Sequence, residues 1–146
     1  MLLLPVFLLL PLSAHAQDPA VEQAARWAHE FAVTLNYSDP IGVSVQRGPF
    51  FGDKWAYVTK SPYGGCSARF TAEAIRERVV VAHEVAHCVL DASRLTFDGY
   101  AWAVSDAEVA FMEERAKAVA VWLTDDSALG IFRRLQRAYP AEWGIR

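Results

Sequence analysis

The 146-residue chain lacks a block of basic residues, an internal repeat, a Pro/Ser-rich linker and any apolar run of bilayer length. Each absence excludes something. With a formal net charge of -3 the chain has no electrostatic footprint for nucleic acid. Without linkers, charge blocks or repeats it reads as one domain rather than an array. Its most apolar segment, Leu2 to Leu12, is shorter than the about twenty residues a membrane-spanning helix needs. No cysteine follows that segment, which argues against a lipoprotein, and no histidine follows His87.

What is present begins with a leader. Leu2 to Leu12 is followed by Ser13-Ala14-His15-Ala16, and Ala14-His15-Ala16 forms an A-x-A cleavage site before Gln17. Residues 1–16 are therefore expected to be a signal peptide, although they contain no Lys or Arg and do contain Pro5 and Pro11. Residues 17–146 remain, enough for one domain with one core, in a secreted or periplasmic protein. Cys66 and Cys88 are the only cysteines. An even count in an exported chain suggests one disulfide, with two separate buried thiols as the alternative.

Hydrophobic spacing predicts a helix over Ala20 to Leu35, ended by Asn36-Tyr37-Ser38-Asp39-Pro40. Strands are expected at Ile41 to Val45, Trp55 to Thr59 and Cys66 to Phe70, with turns at Arg47-Gly48-Pro49 and Phe51-Gly52-Asp53. Thr71 reads as the N-cap of a helix that runs unbroken to Asp91, since nothing between Ala72 and Asp91 is Gly or Pro. Ile75, Val79, Ala82, Ala86 and Val89-Leu90 mark one buried face of it. Ser93 to Val104 reads as a loop. Ser105-x-x-Glu108 is a capping box that opens a further helix to about Leu123, and Ala128 to Tyr139 reads as a last one. Strands followed by helices suit a compact α+β domain.

The central helix contains His83-Glu84-Val85-Ala86-His87, an H-E-x-x-H motif. Positions i and i+4 share a helix face, so both imidazoles can reach one metal ion, while Glu84 lies beside them as a base. The motif resembles the zincin signature of zinc-dependent peptidases. The resemblance implies a minimal zincin-like domain: a small antiparallel or mixed sheet of about three strands packed on an active-site helix, with further helices C-terminal. It also implies that the Cys66–Phe70 strand is the sheet edge that pairs with an extended peptide substrate.

A catalytic zinc takes three protein ligands and keeps an open position. The metzincin continuation H-E-x-x-H-x-x-G-x-x-H is absent, because Leu90 and Ser93 stand at the Gly and His positions. Glu113-Glu114-Arg115-Ala116-Lys117 resembles the gluzincin pattern E-x-x-A-(D/N), which implies Glu113 as the third ligand. It departs from that pattern at Lys117, where the family has an Asp or Asn that orients a ligand histidine. Glu114 is an alternative, and so is Asp98, since Thr96-Phe97-Asp98-Gly99-Tyr100 loosely resembles the aspzincin segment. Glu108 is accounted for by capping.

The resemblance thus implies an exported zinc peptidase with His83, His87 and Glu113 as ligands and Glu84 as general base. Tyr100 is the leading donor to the transition state, ahead of Tyr63 and His29. Peptide or protein would be the substrate. The alternative is an exported, non-catalytic metal-binding or envelope-assembly module. If the leader is processed as expected, N-terminal sequencing of the exported chain begins at Gln17. A chain that retains Met1 would contradict that reading.

Overall fold

The first helix owes its start to two adjacent residues. Asp18 Oδ1 accepts a hydrogen bond from the Ala20 amide at 2.9 Å, and Pro19 occupies the first turn, where its missing N–H leaves no partner wanting. From there α1 (Pro19–Thr34) buries Ala24, Ala28, Phe31 and Ala32 along one side. It stops where Asn36 adopts a φ of 55°, so that the Asn36 and Tyr37 amides bond back to the Val33 and Ala32 carbonyls at 3.0 and 2.8 Å. These positions come from a computed structural model, which describes residues 18–46, 55–100 and 104–124, with Gly99 and Tyr100 described by backbone alone. The leader, the two turns over 47–53 and the helix expected from Ala128 to Tyr139 lie outside the described residues.

Three strands follow: β1 (Ile41–Val45), β2 (Ala56–Lys60) and β3 (Cys66–Phe70). They form one mixed sheet in the order β1-β3-β2, with β3 parallel to β1 and antiparallel to β2. The expected edge strand is therefore the central one, and the edges are β1 and β2. The reason is burial: Cys66, Ala68 and Phe70 put one face of β3 wholly into the core, and its backbone is paired on both sides. Gly65 lets β3 begin where it does. Its φ is +68°, and a Cβ there would lie 1.9 Å from the Pro40 carbonyl oxygen. The other sheet face is polar, with Arg69 Nη1 donating to the Tyr57 hydroxyl at 3.2 Å and that hydroxyl donating to Gln46 Oε1 at 2.7 Å.

The central helix is shorter than its composition suggests. Thr71 Oγ1 accepts from the Ala74 amide at 3.1 Å, but this caps only a 3₁₀ turn, Ala74–Arg76. Glu77 then adopts an extended backbone (φ −100°, ψ 107°), and α2 spans Arg78–Leu90. The break lets Ala74 and Ile75 point into the core before the helix proper starts. Nor does α2 bury only one face: every residue from Val79 to Cys88 is buried. The β-branched run Val79-Val80-Val81 is a weak helix former, and tertiary burial overrides that preference. The helix lies among α1, the sheet and the last described helix, so its polar residues are interior ones.

The expected loop after α2 is partly ordered as a 3₁₀ turn, Ala92–Arg94, and a two-stranded hairpin of β4 (Leu95–Thr96) and β5 (Gly99–Tyr100). The strands are too short for alternation to reveal them in sequence. Then α3 (Asp106–Thr124) opens on the reciprocal capping box: Glu108 N donates to Ser105 Oγ at 3.2 Å and Ser105 N donates to Glu108 Oε2 at 3.1 Å. Among the described residues no helix is long and apolar enough to cross a membrane. The whole is the expected α+β domain.

Cys66 and Cys88 are joined in a disulfide, with Cα atoms 5.9 Å apart. It ties the first residue of the central strand to α2 one residue beyond His87, and it is consistent with an oxidising compartment. Closing that loop stabilises the fold by about 3 kcal/mol in the chain-entropy picture. The double variant Cys66→Ala/Cys88→Ala is expected to lose about that much unfolding free energy in a denaturant titration. An unchanged midpoint would show that the bond constrains nothing.

Candidate metal centre

The helical repeat sets His83 and His87 on one face of α2, and α3 crosses that face with Glu113 turned inward. The inward side of α3 is otherwise made of small or flexible residues, with Met112, Ala116 and Ala120 buried at four-residue spacing. Small side chains let the two helices approach closely enough for Glu113 to touch both rings.

The resulting contacts form a tight triangle. His83 Nε2 and His87 Nε2 are 3.0 Å apart. Glu113 Oε2 lies 3.2 Å from His83 Nε2, and Glu113 Oε1 lies 3.1 Å from His87 Nε2. The two rings meet edge to face, and Trp55 packs against His83 with ring centroids 5.8 Å apart. Both histidines are almost wholly buried, whereas the Glu113 side chain is 26% exposed, so solvent reaches the group from the α3 side. Glu84 is buried next to His83 on α2.

The electrostatics show what the pocket favours. Burial holds His83 below its ordinary pKa, and the neighbouring His87 adds to this against the Glu113 hydrogen bond. Burial would lower His87 as well, but hydrogen bonds to Asp91 and Glu113 outweigh it and push its pKa up to about 10. Burial would raise the Glu113 carboxyl, yet the hydrogen bonds from both histidines hold it well below the usual carboxylate range. The pocket therefore keeps an anionic carboxylate against two imidazoles and stabilises positive charge where their Nε2 atoms meet.

A divalent cation meets that demand. Around an ion with ligand distances of about 2.0–2.1 Å, a tetrahedral edge is about 3.3–3.4 Å. The observed separations of 3.0, 3.1 and 3.2 Å need only a small expansion to match it. Among the described residues His83, His87 and Glu113 are the group that could hold a metal ion. Asp98 is exposed in the β4–β5 turn, where its amide donates to Thr96 Oγ1 at 3.3 Å. Glu114 is 74% exposed and pairs with Lys117 Nζ at 2.7 Å. Glu108 caps α3 and pairs with Arg94. Tyr63 is exposed in the β2–β3 turn and His29 on α1, neither among the contacts of the two histidines. The Tyr100 side chain lies outside the described residues.

One site residue escaped the sequence reading. Asp91, buried at the end of α2, accepts a hydrogen bond from His87 Nδ1 at 2.6 Å. It does for His87 what an Asp or Asn at position 117 would do for a ligand histidine in the gluzincin pattern. The signal was there: His83, His87 and Asp91 follow one another at i, i+4, i+8.

No protein-family description, curated protein or solved structure matches the chain. The chemistry of the site is therefore what bears on function. If it holds a metal, the purified chain retains about one divalent ion after dialysis, as expected for a three-ligand site. Glu113→Ala should abolish retention, while Asp98→Ala and Glu114→Ala leave it intact. Retention by Glu113→Ala with loss in either other variant would reassign the ligand.

Proposed function

We propose that the chain is an exported zinc-dependent peptidase, with His83, His87 and Glu113 as zinc ligands and Glu84 as general base. The observation that carries this reading is the convergence of two imidazoles and a carboxylate from two helices, beside a buried glutamate that binding alone does not require. Nitrogen and carboxylate donors suit zinc, and three of them leave a coordination position open. Zinc bound there would supply a Lewis acid that polarises the substrate carbonyl and acidifies an attacking water.

The chain's own residues do the rest. Glu84 takes a proton from the attacking water and delivers it to the departing amine nitrogen. Its burial among apolar side chains keeps its carboxylate poorly solvated and basic. Trp55 shields His83 from solvent on one side. Tyr100, at the end of the β4–β5 hairpin, remains the donor proposed for the developing oxyanion. An extended peptide would pair with β2, the edge strand that follows directly on Trp55, rather than with β3. The disulfide and the leader together support action in the periplasm or outside the cell.

The test is hydrolysis of a generic unfolded protein by the zinc-loaded chain. Glu84→Gln should keep the metal and the fold while the rate falls by roughly 10²–10⁴-fold, the usual contribution of a general base. Equal rates for the two proteins would overturn the peptidase reading. Bound zinc without hydrolysis of that substrate would favour the non-catalytic module.

A further inference from the structure

Asp91 is in an unfavourable place for a carboxylate. It is 1% exposed, and it caps the C-terminus of α2, donating its amide to the His87 carbonyl at 2.9 Å. A helix C-terminus carries partial negative charge, so an anion there is repelled, and burial removes the water that would screen it. Two groups offset this. Oδ2 accepts from His87 Nδ1 at 2.6 Å, and Oδ1 accepts from the Arg115 guanidinium of α3. Arg115 is itself fixed, since it also reaches the Leu90 carbonyl at 3.4 Å and lies over the Phe111 ring, 5.3 Å from its centroid.

Arg115 is two residues from Glu113 on the same helix. Thus α3 acts on both nitrogens of one imidazole: Glu113 faces His87 Nε2 directly, and Arg115 acts on Nδ1 through Asp91. A carboxylate on Nδ1 keeps the proton on that nitrogen and leaves Nε2 with the lone pair a metal needs.

Resting on the metal-site reading above, we propose that Asp91 is a positioning residue that fixes the His87 imidazole for metal binding, and that Arg115 holds Asp91 in that role. The two behave as one relay from α3 to the metal. Neither touches the reacting atoms.

The test is zinc affinity of the full chain, measured by competition with a chromophoric chelator, with circular dichroism to match the folds. Asp91→Ala should weaken binding by about 10–100-fold, the range typical of groups that orient a ligand histidine. Arg115→Ala should weaken it less, and the double variant should be no worse than Asp91→Ala alone, because the second change acts through the first. Asp91→Asn and Arg115→Lys should each recover part of the loss, which a packing role would not produce. Should Asp91→Ala fail to fold, the same cycle with Asp91→Asn decides. Effects of Asp91 and Arg115 that simply add, or an Asp91 variant within about twofold of the parent, would overturn the relay. A parent chain that binds no zinc would overturn the metal reading itself, an outcome distinct from tight binding that ignores Asp91.

Discussion

Two imidazoles and a carboxylate meet inside a core otherwise built from valine, alanine and aromatic side chains, and this contact constrains the rest of the fold. Polar groups buried in such surroundings destabilise a protein unless they are partnered. Each histidine here is partnered from another helix or from further along its own. That requirement fixes the angle and depth at which α3 lies on α2, because a small rotation of α3 would carry Glu113 away from both rings. The disulfide holds α2 against the central strand from the other side. The helix that carries the motif is thus clamped at its C-terminal half, where the site lies.

Three carboxylates near this site have different neighbours and hence different capacities. Glu113 touches both Nε2 atoms and is partly open to solvent. Asp91 is sealed between His87 and Arg115. Glu84 is buried beside His83 without being part of the three-donor group. Environment, not residue type, separates ligand, positioner and base. The same logic explains why Glu108 and Glu114, on the same helix as Glu113, are capping and surface groups.

Much of this was legible from residues whose signals are local. The Ser105–Glu108 capping box, the Asp39-Pro40 stop after α1 and the Cys66–Phe70 strand depend on a few neighbouring residues, and the structure has them at the expected places. Glu113 was legible for a different reason: a lone carboxylate on an apolar stripe demands a buried partner. What failed depended on tertiary context. Strand order cannot be read from one strand, so β3 was taken as an edge when it is central. The break at Glu77 follows from how Ile75 and Val79 share the core, which no helix propensity encodes. Asp91 looked like the end of a helix because its partner, Arg115, is distant in sequence.

X-ray absorption at the zinc edge of the zinc-loaded chain tests the central claim most directly. Two histidine nitrogens at about 2.0–2.1 Å and one carboxylate oxygen at about 2.0–2.2 Å are expected in the inner shell. A sulfur ligand at about 2.3 Å, or an inner shell that contains no imidazole, would contradict the assignment.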